Sequence, residues 1–201
     1  MNAQNGSTSA VTFLNSHEAA TVEALAGRII PGSADDPGAQ QAGAGTYIDR
    51  ALAGPYRHLQ RLYRTGLAAL DIRCLEQQGH TFVELDEREQ DAFLEPLAQG
   101  EWAAALAGER AESGSEEVDV GFLPYFFAVV RQHVVEGTFG DPVYGGNRDT
   151  VGWRLIGFPG ARWGYGEKEM TYGFDSATLA TVTLEDLRST RAKQQGGAAH
   201  D

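Results

Sequence analysis

Apolar residues recur at helical spacing in five stretches of the chain, while the Val/Thr/Ile runs, such as Thr178 to Leu184, are too short to argue for a sheet. After Asn15, the residues Val22, Leu25, Ala26, Ile29 and Ile30 share one helical face, and Asn15-x-x-Glu18 has the form of a capping box. Pro31-Gly32 stops that helix, and SADDPGAQQAGAG reads as turns. Tyr47, Ile48, Ala51 and Leu52 then start a short helix that Gly54-Pro55 ends. A stronger stripe follows, Leu59, Leu62, Tyr63, Gly66, Leu67 and Leu70, which predicts an amphipathic helix packed on a core. Asp86-x-x-Glu89 opens a fourth helix with Phe93, Leu94 and Leu97 inward and acids outward, and Pro96 is expected to kink or interrupt it. GERAESGSEEVD lacks periodicity and reads as a mobile loop. Phe122, Tyr125, Phe126, Val129, Val130, His133 and Val134 are apolar around most of a helix, predicting a central one that ends near Gly137.

Residues 137–166 change character, with nine glycines and six aromatics (Phe139, Tyr144, Trp153, Phe158, Trp163, Tyr165). Flexible linkers lack large aromatics, so this mixture predicts an ordered, irregular loop. An extended arm, a short polar helix after Thr183 and a frayed tail complete the chain. The expected fold is mainly α: one irregular helical domain of about five or six helices with a long Gly/aromatic loop and an extended C-terminal arm. The expected division is a flexible N-terminus over 1–14, the helical domain over 15–170, and the arm and tail over 171–201.

With 201 residues, 42% of them hydrophobic, the chain is long enough for one real core. The formal charge of −12 argues against a phosphate-tracking nucleic-acid binder, and no stretch approaches the ~20 apolar residues of a membrane span. The charge is unevenly placed: residues 84–119 hold twelve acids against Arg88 and Arg110, and the rest is nearly neutral. Such a run is usually a solvated face. Fourteen of the sixteen basic residues are Arg, a side chain suited to fixed bidentate pairs and stacking. No basic residue precedes Arg28 and no signal-like apolar run is present, so as written the chain reads as cytoplasmic, the alternative being periplasmic by co-export with a partner or after signal trimming.

Catalytic templates are missing: there is no G-x-S-x-G elbow, Walker loop, H-E-x-x-H pair or strand-linked G-x-G-x-x-G. Cys74, the single cysteine, reads as packing more readily than as a reactive thiol. His133 and Glu136 lie at i and i+3 on one helix face, and Asp141 follows a Gly-containing turn. These three either hold the loop backbone or contribute to a divalent metal site. A metal site needs three or four converging ligands and only three candidates are in view, so the structural reading is preferred and no metal is expected.

The stretch from Phe139 to Gly160, F-G-D-P-x-Y-G-G-N-x-D-x-x-G-W-x-x-I-G-F-P-G, preceded by His133 and Glu136-Gly137, resembles the signature of the gluconate 2-dehydrogenase subunit 3 family. So does Leu25-Ala-Gly-Arg-Ile-Ile-Pro-Gly32 with Asp36-Pro-Gly38, Ala42-Gly43 and Tyr47-Ile-Asp49. The resemblance implies a small helical subunit, without a cofactor of its own, that stabilises or chaperones a large FAD-dependent oxidoreductase of the glucose–methanol–choline (GMC) type acting on a sugar, sugar acid or glycoside. Many such complexes add a cytochrome c. Phe139, Tyr144, Arg148, Trp153, Arg154, Phe158 and Trp163 are residue types that dominate protein–protein anchors and are the expected partner interface. His133, Glu136, Asp141, Asn147 and Asp149 are expected to shape the loop, with Asn147, Arg148 and Asp149 as candidates to reach the partner's substrate entrance. The second reading is an independent metal- or small-ligand-binding helical protein using His133, Glu136 and Asp141.

Overall fold

The computed structural model describes residues 12–33, 35–107 and 122–197. Among them are eight α-helices: α1 Ser16–Ile29, α2 Ala39–Ala42, α3 Ala44–Ala53, α4 Gln60–Gln78, α5 Glu87–Ala107, α6 Phe122–Phe139, α7 Val151–Leu155 and α8 Leu184–Gly197. No strand is present among the described residues; an isolated bridge joins Gly160 to Val182. The mainly helical expectation therefore holds, and the surplus over five or six helices comes from α2 and α7, which are one turn long. The polar stretch expected to be a mobile loop, residues 108–119, lies wholly outside the described residues.

α6 is central, packing against α5, α3, α4, α1 and α2. Its apolar circumference demands such cover, and Phe126, Val130 and Val134 join Val22, Leu25, Ile48, Leu52, Tyr63 and Leu70 in one core. α4 approaches α6 closely because Gly66 offers no side chain: a Cβ there would lie 2.3 Å from a ring carbon of Phe126. The α1 capping box forms as predicted, Asn15 accepting from the Glu18 N–H at 2.9 Å and Glu18 from the Asn15 N–H at 2.8 Å. The α5 box forms likewise between Asp86 and Glu89.

Two expectations need correction. α5 runs unbroken through Pro96. Pro96 and Ala92 both lie on the exposed face, where a helix carbonyl left without its N–H partner costs less than it would in the core. Thr12 to Leu14, grouped with a flexible terminus, are held by Asp49, whose carboxylate accepts from the backbone N–H of Thr12, Phe13 and Leu14 at 2.6–2.9 Å. The packing reading of Cys74 holds: α4 runs to Gln78 and buries it, and the thiol is pushed up to about 12 by burial and then by nearby Asp71. That thiol is inert at neutral pH. Among the described residues no helix is long and apolar enough to cross a membrane.

Candidate functional site

Residues 137–160 fold onto the C-terminal end of α6 as two 3-10 turns (Pro142–Tyr144 and Arg148–Thr150) followed by α7. Glycine makes this docking possible. A Cβ at Gly146 would lie 2.1 Å from the carbonyl oxygen of Gly137, and one at Gly152 would lie 1.9 Å from that of Thr138. Asn147 locks the arrangement. Fully buried and in the left-handed region (φ 43°), it donates its amide to the Gly140 carbonyl at 2.7 Å and accepts from the Gly152 N–H at 2.9 Å. Its own N–H reaches Gly137 O at 2.7 Å. Asp149 and Thr150 are also left-handed (φ 53° and 55°), a conformation that is uncommon for a β-branched residue and marks strain held by the surrounding bonds.

Asp141 ties this loop to the arm. One carboxylate oxygen caps the following turn through the Val143 N–H at 3.0 Å, and the other accepts from the Leu184 N–H at 2.9 Å, where α8 begins. Between loop and arm lies a cleft of about 220 Å³ lined by Trp153, Arg154, Phe158, Pro159, Ser176 and Leu179.

His133 and Glu136 belong to an aromatic and hydrogen-bonded cluster under the loop. The imidazole is 5% exposed, stacked between Tyr56 (centroids 4.6 Å) and Tyr63 (5.8 Å), and its Nδ1 shares a 2.9 Å hydrogen bond with the Tyr63 hydroxyl. Glu136 accepts from the Tyr47 and Tyr56 hydroxyls at 2.8 and 3.0 Å and from Gln132 at 3.0 Å. Burial pulls the Glu136 carboxyl upward, but these donors and His133 hold it below the ordinary value, so it is an anion. Burial depresses His133, with Glu136 opposing, so the ring is neutral. Burial first, and the Glu136 charge after it, raise the phenols of Tyr47, Tyr56 and Tyr63, which stay protonated.

A metal site from His133, Glu136 and Asp141 finds no support in this geometry. Among the described residues no three His, Cys, Asp or Glu side chains gather to hold an ion. His133 Nδ1 and all four carboxylate oxygens of Glu136 and Asp141 already have hydrogen-bond partners within the protein.

The expected interface residues divide. Trp163 is 84% exposed; Tyr144, Arg148, Arg154 and Phe158 are also exposed, and Phe139 is half-buried. Trp153 departs from expectation: at 3% exposed it packs edge-to-face on Phe158 and donates its indole N–H to the Phe139 carbonyl at 2.7 Å, so it pins the loop and is not presented to a partner. Asn147 is likewise too buried to reach a partner's substrate entrance, whereas Asp149 and Arg148 are exposed. The Arg148 guanidinium lies over Gly43 and acts electrostatically on Glu23, whose carboxyl is raised chiefly by burial. Sequence reasoning missed Leu155 of α7 and Ile156 just after it, and Met170 and Tyr172 of the arm, all exposed. The signal available was their position beside the aromatic run, in segments with no apolar periodicity to face a core.

Among known proteins, no curated protein and no solved structure matches the chain. A family model described as gluconate 2-dehydrogenase subunit 3 matches residues 16–160, which takes in α1 through α7 and the whole glycine-locked loop. The chain therefore belongs to the gluconate 2-dehydrogenase subunit 3 family.

Proposed function

We propose that this chain is a non-catalytic small subunit that binds and stabilises a larger FAD-dependent oxidoreductase of the GMC type, one that oxidises a CH–OH group of a sugar, sugar acid or glycoside. The family describes a subunit of a dehydrogenase, which supports a larger oxidoreductase as partner. The observation that carries the reading further is the exposed face of the loop and arm. Tyr144, Leu155, Ile156, Phe158 and Trp163 stand in solvent beside Arg148 and Arg154, on a backbone immobilised by Asn147 and Asp141. Large apolar groups on a rigid frame lose little entropy on docking, which is the economy of an interface and not of a free monomer. His133, Glu136 and Asp141 serve this frame from below; flavin and substrate contacts belong to the partner.

Co-expression with its large flavoprotein subunit tests the reading. The expected outcome is a stoichiometric complex and a higher flavin content in the large chain than when that chain is made alone. A large subunit that folds, loads flavin and turns over equally well without this chain would sink the proposal.

A further inference from the structure

Residues beyond Gly160 lie outside the part of the chain that the family model matches. They form a closed loop with a tied neck. Ala161 N–H donates to Val182 O at 2.7 Å, Val182 N–H to Pro159 O at 3.1 Å, and Arg162 to Ala180 O at 2.6 Å. Ser176 adds a bond to the Gly157 carbonyl at 2.7 Å, and Asp141 receives the Leu184 N–H just past the neck. Inside the loop, turns are fixed by Met170 N–H to Gly166 O at 3.1 Å, Gly166 N–H to Glu169 at 2.9 Å and Phe174 N–H to Thr171 O at 3.1 Å.

This tethered excursion exposes its largest side chains: Trp163 is 84% exposed, Tyr165 44%, Met170 68% and Tyr172 104%. Four large apolar groups within ten residues, on a loop whose ends and turns are hydrogen-bonded, do not serve the core of this chain. A closed surface loop of this kind is a common carrier of recognition. The family points to the occupant: it describes a subunit of a dehydrogenase, so a larger oxidoreductase chain is the partner such a loop would serve. Residues 161–183 hold Arg162 and Lys168 against Glu167, Glu169 and Asp175, a net −1, which leaves −11 on the rest of the chain. With so little net charge, the aromatic tips of this loop can enter an apolar recess without a dense charged cluster having to be desolvated.

We infer that residues 161–183 are the docking loop by which this chain selects its own larger oxidoreductase subunit, with Trp163, Tyr165, Met170 and Tyr172 seated in an apolar recess of that subunit. The inference rests on the accessory-subunit reading above and adds where selection resides: in a segment outside the family's matched domain, not in the domain itself.

The test uses the full chain and its larger subunit. Trp163→Ala/Tyr172→Ala is compared with wild type for dissociation constant by biolayer interferometry, for melting of the free chain, and for mass in solution by light scattering. Because both side chains are exposed, the melting temperature is expected to stay unchanged while affinity falls at least ~30-fold. Ile156→Ala, just past the end of α7, is expected to change affinity less than the double variant. Wild-type complex formation with affinity of the double variant within twofold would overturn the docking loop and leave the accessory reading intact. Failure of wild type to associate at all would remove the accessory reading and this inference with it. A wild-type homodimer dissolved by the double variant would also overturn the inference, since the loop would then pair copies.

Discussion

Asn147 shows how one residue fixes the candidate interface. Its side chain joins two backbone groups five to seven residues away on either side, Gly140 and Gly152, and its left-handed backbone is one that Asn tolerates better than most residues. Asn147→Ala leaves a buried carbonyl and a buried N–H unpaired. The expected loss is about 2–4 kcal/mol of unfolding free energy by urea titration, with the exposed aromatics losing their fixed spacing. A second consequence belongs to His133. Its folded pKa lies below the ordinary 6.5, so between the two values the unfolded chain binds more protons. Stability from this group is complete above about 6.5 and is lost as pH falls through the window below it. Glu136, also depressed, adds stability above its ordinary 4.5 that disappears at still lower pH. Urea midpoints measured from pH 7.5 to pH 5 are therefore expected to fall in wild type, with a shallower slope in His133→Gln. Parallel slopes would show that other groups carry the acid sensitivity.

The pairing of His133 with Glu136 was legible from their i, i+3 spacing, but the partners that give each its role were not. Tyr47, Tyr56 and Tyr63 come from residues 70 to 89 positions away, and no local pattern announces them. Trp153 and Trp163 make the same point. Both sit among glycines, ten residues apart, yet one lies under the loop with its N–H on Phe139 and the other lies beyond the neck at Ala161. Composition identified the aromatic run; only backbone closure decided which rings face inward.

At the scale of elements, the long helices were read from periodicity and capping boxes because both are local. α2 and α7 escaped because a single turn offers no repeat, and their stability comes from the backbone they touch. α5 contradicted a local rule because Pro96 stands on its wet face. The α4–α6 contact is the element-level feature most open to attack, since it depends on the missing side chain of Gly66 against Phe126. On an isolated helix Gly66→Ala would be mildly favourable by propensity. In this core the added methyl meets the ring of Phe126, so a destabilisation of about 1–3 kcal/mol is expected from thermal or urea unfolding. A stabilised variant would mean that α4 and α6 separate without cost, and the core described for α6 would need revision.

For the molecule as a whole, the excess negative charge is segregated from the proposed docking face. Glu84, Asp86, Glu87, Glu89, Asp91 and Glu95 face solvent, and Arg28 of α1 reaches two of them, Glu87 at 2.9 Å and Asp91 at 3.6 Å. Both acids are largely exposed, so these pairs contribute little and the segment repels itself. The loop and arm face carries Arg148, Arg154 and Arg162 and the exposed aromatics, with far less net charge. Two salt responses follow. Raising ionic strength from about 0.05 M to about 0.5 M shortens the reach of the repulsion, and the free chain is expected to melt about 2–4 °C higher. Association with the larger subunit, made through the near-neutral face, is expected to change in rate by less than ~threefold over the same range, because steering by charge is weak there. An association rate that drops tenfold with salt would place the contact on the acidic side of the molecule, and the docking surface would have to be sought along α5.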